Sequence, residues 1–327
     1  MAAKDRRFSA GIWYLGAVGD RFAKQGYRED RTIEERYRAA AGVKGLGGME
    51  MHYPNEVNED NLDQIKRLAS ETGLKTVMVA PLLWTEWKWK FGAFTAPDPQ
   101  ARRDAIERAK TTMDIAVELG TDGVIYWAAQ DGYDYPFQCD YKSHFQRLVE
   151  ALREVLEHQP KMKMVIEYKP WEPRTHILPG NMGQVLVVVN EVNHPNLGIN
   201  IDIGHAIMAR ENLAESVAMA FRYDRLWHTH FNDCFRMADD DLIVGTVNFW
   251  ETLELLFWLD ELGYSGWHGI DIFPYRESPE KALEESIANI NFMYGLLDKI
   301  DRNEIRQRWQ DSDAIRLSQI LRGMLAA

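Results

Sequence analysis

Four residues able to ligate a metal ion stand at matching places in four successive apolar segments of this 327-residue chain. They are Glu167, Asp202, His230 and Asp271. Three carboxylates and an imidazole in one confined site are unfavourable unless a cation compensates the negative charge. A single acidic residue after an apolar segment is ordinarily a helix cap or an ion-pair partner. Four potential ligands in a row instead predict a site for a divalent cation. Mn²⁺, Mg²⁺, Co²⁺ and Zn²⁺ are all suitable ions for such ligands.

A second group of potential ligands lies beside the first. His205 follows Asp202 by three residues, and Asp239 and Asp241 come after the apolar segment that contains His230. If Asp202 bridges two ions, these residues predict a second cation, so the sequence allows one or two metals per subunit. In isolation, the run of three consecutive aspartates would be interpreted as a solvated acidic loop.

Side chains suited to a substrate surround these potential ligands. Lys169 lies two residues after Glu167, so both point to the same face of a strand, and Lys169 can reach a substrate oxygen. Its alternative role is a structural ion pair. The chain also has eleven tryptophans. Most are expected in the core, but an aromatic face packs well on the C–H bonds of a sugar. The tryptophans at or beyond predicted strand ends are Trp13, Trp84, Trp87, Trp89 and Trp127.

Eight short apolar runs alternate with amphipathic segments along the chain. The runs comprise residues 8–14, 48–52, 74–80, 123–127, 163–168, 197–203, 226–231 and 267–273. Strands that alternate with helices pair in parallel, and eight such units predict a closed (β/α)₈ TIM barrel, an α/β fold. The functional site of such a barrel lies at the C-terminal ends of its strands, where the potential ligands stand.

The intervening segments predict the outer helices. They comprise residues 33–41, 58–72, 99–119, 141–158, 212–221, 249–262 and 279–300, with a weaker helical pattern at 181–192. Gly73, Gly120 and Gly263 follow three of these segments and predict left-handed helix ends. We assign residues 1–300 to the barrel and residues 301–327 to a short C-terminal helical extension, an arm suited to packing on another subunit.

The composition of the chain restricts the class of protein. The chain is 46% hydrophobic and 27% charged, and its net charge of −12 disfavours nucleic acid and anionic membranes, which select basic faces. No run of 18 apolar residues and no apolar signal segment occurs. We therefore expect a cytoplasmic protein that binds neither membranes nor nucleic acid. Cys139 and Cys234 support neither a disulfide framework nor a thiolate zinc site.

From about residue 8 to residue 276, the sequence resembles the xylose isomerase group of sugar isomerases. Ile-Glu-Tyr-Lys-Pro-Trp-Glu-Pro-Arg at 166–174 is similar to that group's Ile-Glu-Pro-Lys-Pro-Asn-Glu-Pro-Arg. Phe-Gly-Ala-Phe-Thr-Ala at 91–96 resembles its Gly-Gly-Phe-Thr-Ala, and Trp-Ala-Ala-Gln-Asp-Gly at 127–132 resembles its Trp-Gly-Gly-Arg-Glu-Gly. Asp-Asp-Asp-Leu at 239–242 resembles the Asp-Gln-Asp-Leu of that group's second metal site.

The resemblance implies roles for individual residues. The implied catalytic residues are Lys169, His52, Asp271 and Glu167, and the implied substrate contacts are Trp13, Trp127, Phe94 and His205. The implied metal ligands are Glu167, Asp202, His230 and Asp271 for one ion and Asp202, His205, Asp239 and Asp241 for another. His52 corresponds to the histidine that helps to open the sugar ring. The aspartate partner of that histidine is replaced by Asn55, and a neutral amide cannot stabilise an imidazolium as a carboxylate does.

Two ligand positions depart from xylose isomerases, which have glutamate in place of Asp202 and aspartate in place of His230. The resulting ligand set is similar to that of rhamnose isomerases. It implies an aldose–ketose isomerase that depends on Mn²⁺, Mg²⁺ or Co²⁺ and shifts a hydride between C1 and C2 of a sugar. Because no Gly-rich phosphate loop or clear arginine cluster occurs, we expect an unphosphorylated sugar. The resemblance also implies a homodimer or homotetramer.

Two other functions stay open. Single-metal sugar epimerases, and lyases or deglycosidases of oxidised sugars such as 3-keto glycosides, share this barrel and abstract a proton next to a carbonyl. Some of them work with a small partner subunit. One metal rather than two would favour this alternative. The third hypothesis is a non-catalytic sugar- or metal-binding protein, which the complete ligand set and Lys169 disfavour.

Overall fold

A closed barrel of eight parallel strands lies inside a ring of helices in the computed structural model, which describes residues 6–326. The barrel strands are β1 (Arg7–Gly11), β2 (Leu46–Tyr53), β3 (Lys75–Pro81), β4 (Gly123–Trp127), β6 (Met164–Glu167), β8 (Leu197–Asp202), β9 (Leu226–Phe231) and β10 (Trp267–Ile270). Two short strands, β5 (Gly132–Tyr133) and β7 (His176–Ile177), form a separate antiparallel pair that the sequence did not predict. The predicted (β/α)₈ barrel is confirmed.

The helices lie between the strands or follow the last strand, β10. They are α1 (Ile33–Ala41), α2 (Leu62–Thr72), α3 (Pro99–Leu119), α4 (Tyr141–His158), α5 (Met182–Val192), α6 (Ile203–Met208), α7 (Leu213–Arg222), α8 (Phe249–Leu262), α9 (Pro279–Leu297), α10 (Arg302–Asp311) and α11 (Ala314–Ala326). The weak helical pattern at 181–192 is confirmed as α5. The short helix α6, directly after β8, was not predicted.

Local chemistry explains where several helices begin and end. Thr32 closes a capping box with Glu35 at the start of α1, since each residue's side chain accepts from the other's backbone N–H. Gly73, Gly120 and Gly263 end α2, α3 and α8 with φ of +73°, +64° and +72°. These left-handed ends confirm the prediction, because a side chain at such a position would be strained.

Two strands end three residues before their apolar runs do, and both differences matter for the site. The first run extends to residue 14, but β1 ends at Gly11 because residues Trp13–Leu15 form a 3₁₀ turn. The last run extends to residue 273, but β10 ends at Ile270. Trp13 and Asp271 therefore lie just beyond the C-terminal ends of their strands, at the mouth of the barrel.

The register of the strands places the potential ligands near one level. His230 on β9 is paired with Asp202 on β8 and with Gly269 on β10. Glu167 on β6 is paired with Asn200 on β8. The barrel closes between β1 and β10, and the pairs run from Arg7 with Trp267 to Ala10 with Ile270.

The predicted C-terminal extension is helical and contacts its own barrel. In α10, Trp309 stacks on Trp258 of α8, with ring centroids 5.2 Å apart and an interplanar angle of 14°. Arg302 and Arg306 both pair with Glu261, also on α8. Among residues 6–326, the structure contains no helix that is both long and apolar enough to span a bilayer.

Candidate metal centre and active site

The four ligands predicted first converge at the C-terminal ends of the strands. Glu167, Asp202, His230 and Asp271 each offer one ligand atom, and these atoms lie within 4.8 Å of one another. His230 Nδ1 is 2.9 Å from Glu167 Oε2, 3.4 Å from Asp271 Oδ2 and 4.0 Å from Asp202 Oδ2. We call these four residues the primary cluster.

The donor atoms of the primary cluster fit a divalent cation. His230 Nδ1 and Asp271 Oδ1 are buried, and neither makes a hydrogen bond of acceptable geometry to any described residue. Buried polar atoms are ordinarily satisfied, so their convergence in an anionic site indicates a place for an ion. Three carboxylates and one imidazole suit Mn²⁺, Mg²⁺ or Co²⁺.

The electrostatics of the primary cluster show how unfavourable its converging negative charges are. Burial, with the negative charges of Asp239 and Glu167, raises the pKa of Asp202 to about 7 despite the opposing effect of His205. Burial alone would lower the pKa of His230, but the carboxylates of Glu167 and Glu50 raise it well above its ordinary value. Protons therefore compensate part of the negative charge that a cation would neutralise.

A second cluster lies next to the first and shares Asp202 with it. Its potential ligands are Asp202, His205 and Asp239, whose ligand atoms also lie within 4.8 Å of one another. His205 Nε2 is 2.9 Å from Asp239 Oδ2, and Lys169 Nζ is 2.7 Å from the same oxygen. We call these three residues the secondary cluster. Two cationic groups of the protein already contact its Asp239 carboxylate.

The structure does not bring Asp241 into the secondary cluster, although the sequence placed it among the ligands. Its Oδ1 accepts a hydrogen bond of 3.3 Å from Asn232 Nδ2. Burial and the charge of Asp239 raise the pKa of Asp241 well above its ordinary value, which favours its neutral form. Asp241 lies in an irregular loop segment, with a positive φ of +47°. Only three of the four ligands predicted for a second ion converge.

Two asparagines hold the carboxylates of the primary cluster. Asn200 Nδ2 donates a hydrogen bond of 2.6 Å to Glu167 Oε2. Asn232 Nδ2 donates to both oxygens of Asp202, at 3.2 and 3.0 Å. Asn232 is itself fixed, because its Oδ1 accepts from the backbone N–H of Gly204 at 2.7 Å. These contacts orient the ligands before an ion binds.

An aromatic wall stands on the opposite side of the barrel mouth. The ring of His52 lies 4.2 Å from that of Trp13 and 5.2 Å from that of Trp84, measured between centroids. The ring of Trp84 lies 4.8 Å from that of Trp127. Lys169 Nζ lies 5.5 Å from the centroid of Trp127 and links the wall to the secondary cluster. The indole N–H of Trp127 has no hydrogen-bond partner among the described residues.

The partner of His52 differs from the sequence expectation, which was wrong on this point. His52 Nδ1 lies 3.1 Å from Glu56 Oε2, so a carboxylate and not Asn55 supports the imidazole. Asn55 Nδ2 instead donates to Glu56 Oε1. Burial alone would raise the pKa of Glu56, but His52 and the hydrogen bonds hold this pKa below its ordinary value. The pair is equipped to carry an imidazolium.

Phe94, expected to contact the substrate, lies in the core. Its side chain is 0% exposed and stacks on Tyr126, with centroids 4.6 Å apart and an interplanar angle of 12°. The carboxylate of Asp131 accepts from the backbone N–H groups of Ala93, Phe94 and Thr95. The residues around Phe94 are therefore a packed anchor for the loop, and Phe94 has no exposed surface to offer a ligand.

Several residues of the site were missed by the sequence analysis. Glu50 and His228 form a third potential ligand group with His230. Each lies two residues before a predicted site residue on the same strand, Glu50 before His52 and His228 before His230. Since side chains two apart in a strand share a face, this spacing was a usable signal. Asn200, which supports Glu167, also lies two residues before a predicted ligand, Asp202. Glu56, which supports His52, lies in a turn, so no such spacing points to it.

Comparison of the sequence with known proteins finds a matching family model and several relatives. The family model described as xylose isomerase-like TIM barrel matches residues 37–293 of this chain. The xylose isomerase of Thermus thermophilus is 29% identical over 300 residues, which cover 85% of this chain and 76% of that protein.

Comparison with solved structures shows the same fold. A D-tagatose 3-epimerase-like protein superposes with a TM-score of 0.67 at 20% identity and covers 87% of this chain and 98% of its own. The 3-keto-D-glucoside 4-epimerase from E. coli superposes with a TM-score of 0.64 at 17% identity and covers 85% of this chain and 98% of its own. At such identities these likenesses concern the fold alone.

Proposed function

We propose that this chain, which belongs to the xylose isomerase-like TIM barrel family, is a divalent-metal-dependent aldose–ketose isomerase of an unphosphorylated sugar. The observation that carries this proposal is the combination of the convergent primary cluster with the buried Lys169 beside it. The Lys169 residue is 6% exposed, and its ammonium faces the clusters between Trp127 and Asp239. A place for a cation and a fixed ammonium group thus stand at one barrel mouth.

In the proposed enzyme, Glu167, Asp202, His230 and Asp271 would hold the cation. When bound, a divalent cation supplies Lewis-acid polarisation to two neighbouring oxygens of the substrate. Burial alone would lower the pKa of Lys169, but the charge of Asp239 and its hydrogen bond to the ammonium raise this pKa above its ordinary value. Lys169 therefore keeps its proton and stabilises negative charge that develops on a carbonyl oxygen at C1 or C2. It does not act as a base.

The His52–Glu56 pair is suited to the step that precedes isomerisation. A cyclic sugar must open before C1 and C2 can exchange oxidation state, and opening needs a proton at the ring oxygen. His52 donates that proton in our proposal as the bond from C1 to the ring oxygen breaks, and the C1 hydroxyl loses its proton to solvent as the carbonyl forms. The carboxylate of Glu56 stabilises the imidazolium that donates. Trp13, against which the imidazole packs, would fix the sugar ring over His52.

The charge of the barrel mouth supports an unphosphorylated substrate. Five acidic residues lie at the mouth, namely Glu167, Asp202, Asp239, Asp241 and Asp271. Lys169 is already paired with one of them, Asp239. A phosphate group would meet several carboxylates and no free guanidinium group among the residues that form the clusters. Repulsion between like charges would disfavour its binding there.

A second candidate function is proton abstraction with one metal, as in a sugar epimerase or in a lyase or deglycosidase of a 3-keto sugar or glycoside. The secondary cluster favours this candidate, because Lys169 and His205 already compensate the Asp239 carboxylate. A carboxylate of the primary cluster, Glu167 or Asp271, would then serve as the base. The structural likeness to a 3-keto-D-glucoside 4-epimerase makes such substrates worth testing.

One experiment separates the two candidates. The protein is stripped of metal, reloaded with Mn²⁺ and incubated in D₂O with aldoses, ketoses and 3-keto glycosides, and the products are identified by NMR. Aldose–ketose conversion with little deuterium in the product supports the isomerase and its hydride shift. Epimerisation or elimination with deuterium at the reacting carbon supports proton abstraction. No turnover of any free sugar contradicts the isomerase and points to a modified substrate or a small partner subunit.

The oligomeric state is a separate part of the proposal. We propose a homodimer or a homotetramer, which the family resemblance implies. Light scattering coupled to size-exclusion chromatography gives the mass in solution, and a mass equal to the 37.9 kDa of one chain contradicts this part.

A further inference from the structure

A buried carboxylate lies behind the primary cluster, on the side away from the other ligands. Glu50 on β2 is 2% exposed. Its Oε2 lies 3.0 Å from His230 Nε2, and its Oε1 lies 3.0 Å from His228 Nε2. The hydroxyl of Ser9 on β1 donates a hydrogen bond of 2.6 Å to Oε1. Both oxygens of Glu50 are therefore engaged inside the barrel.

The contact with His230 determines which nitrogen of its imidazole can bind a metal. An ionised carboxylate only accepts hydrogen bonds, so His230 Nε2 carries a proton and donates it to Glu50. Neutral imidazole has one proton, and Nδ1 is then left with a free lone pair. That nitrogen faces Glu167, Asp202 and Asp271. Glu50 thus fixes both the orientation and the protonated nitrogen of the imidazole.

A glycine on the neighbouring strand provides the space for this contact. Gly269 on β10 is paired with His230. A Cβ at this position would lie 2.8 Å from Glu50 Oε1, 2.8 Å from His230 Cδ2 and 3.1 Å from His228 Nε2. Any side chain at 269 would therefore displace the carboxylate or the ring. Gly269 therefore leaves the space in which Glu50, His228 and His230 meet.

We infer that Glu50, held by Ser9 and His228, is a positioning residue that presents Nδ1 of His230 to the metal. It touches neither the ion nor the substrate and acts only through the imidazole. The inference depends on the proposed metal site, since it assigns a function to a contact of one of its ligands. Carboxylates that orient a metal-binding histidine typically contribute 10- to 100-fold to metal affinity.

The test measures Mn²⁺ affinity by isothermal titration for the full chain and three variants. We expect Glu50→Gln to weaken binding by roughly 10- to 100-fold, because an amide is neutral and accepts through one oxygen only. Ser9→Ala leaves Glu50 in place, and we expect a loss of about three- to tenfold, a size typical of one intramolecular hydrogen bond. His268→Gln is the matched control: this buried histidine on β10 contacts the Tyr294 hydroxyl, and its replacement should leave the affinity unchanged.

Nitrogen-15 NMR of histidine in the Zn²⁺-loaded protein tests the geometry directly. We expect one imidazole bound through Nδ1 with a slowly exchanging proton on Nε2, and faster exchange of that proton in Glu50→Gln. Thermal unfolding without metal shows whether each variant is folded, and Ser9→Ala provides the test if Glu50→Gln is not.

The outcomes separate this inference from the proposed function. A wild-type protein that binds no divalent cation contradicts the proposed function and this inference together. A wild-type protein that binds Mn²⁺ no more tightly than Glu50→Gln contradicts this inference alone. Binding of His230 through Nε2 also overturns it, and the proposed metal site then stands without Glu50.

Discussion

The primary and secondary clusters use the same kinds of residue and share Asp202, but they differ in how the protein compensates their charge. In the primary cluster, His230 Nδ1 and Asp271 Oδ1 have no hydrogen-bond partner among the described residues. In the secondary cluster, one oxygen of Asp239 receives both His205 and Lys169. The primary cluster is open to an external cation, whereas the secondary cluster is largely balanced by the protein's own cations. The spacing of ligands along a chain does not distinguish these two situations.

The largest effect that we predict is on the primary cluster. Glu167→Gln removes an anionic ligand, so we expect Mn²⁺ affinity to fall by more than about 100-fold, beyond the range typical of outer-shell partners, and turnover to be lost. Titration calorimetry measures the affinity. Glu172→Gln is the control, since this carboxylate lies on the same segment, 3.3 Å from Lys169, and outside the primary cluster. Equal losses in both variants would contradict the assignment of Glu167 as a metal ligand.

Lys169→Met should lower turnover but strengthen the binding of a second metal ion. Turnover should fall by about 10²- to 10³-fold, as for other groups that stabilise developing negative charge. The secondary cluster should then bind a second Mn²⁺ at least about tenfold more tightly, because a positive charge 2.7 Å from Asp239 is gone. Metal counting by mass spectrometry after equilibrium dialysis measures this, with Lys169→Arg as a variant that keeps the charge. If the affinity for the second Mn²⁺ is the same in Lys169→Met and in the wild type, Lys169 does not compete with a cation.

The pH dependence of metal binding should reflect the protons held in the primary cluster. The pKa of Asp202 is raised to about 7 and that of His230 lies well above its ordinary value, so both hold protons at pH 6 in the metal-free protein. Metal binding must release these protons, and affinity should therefore increase as the pH rises from 6 to 8. The increase should approach about tenfold per pH unit for each proton released. Calorimetry in two buffers of different ionisation enthalpy counts the protons, and a flat profile would contradict the assignment.

The smallest effect should come from Asp241. Its pKa is raised well above the ordinary value, so Asp241→Asn replaces a largely neutral carboxyl with an amide of the same shape. We expect the affinity for either Mn²⁺ equivalent to change by less than about threefold, within the range of substitutions that leave the main contacts intact. Asp239→Asn, two residues away, is the contrasting variant and should weaken binding of the second Mn²⁺, because Asp239 belongs to the secondary cluster. A large loss in Asp241→Asn would restore the four-ligand second site that the sequence predicted.

The barrel and the primary cluster were predictable from the sequence because both follow from simple periodicities. Apolar runs that alternate with helices fix the order of strands, and a ligand near the end of each run must reach the same barrel mouth. Trp13, Lys169 and His230 were located in this way. The bounds of α3, α4 and α8 were also read correctly, since caps and terminal glycines mark them.

What the sequence did not reveal depends on contacts across the barrel. The carboxylate of Glu56 reaches His52 through a turn, so no strand or helix period connects them. The stacking of Phe94 on Tyr126 depends on Asp131 anchoring the loop. The engagement of Lys169 by Asp239 requires two loops to meet. In each case the residue type was visible, and its partner was not.

The barrel closes where β1 pairs with β10, and we call this pair of strands the seam. Its position has a consequence for the stability of the closed barrel. Asp271 follows β10, while Ser9 and Glu50 lie on β1 and β2, so the side chains behind and around the metal come from both sides of this seam. Opening the seam would separate a ligand from the carboxylate that orients His230. A bound cation would therefore hold the two sides of this seam together, and by mass action it would stabilise the closed form in proportion to the logarithm of its concentration. Amide protons of β1 and β10 should therefore exchange with solvent more slowly after the cation has bound.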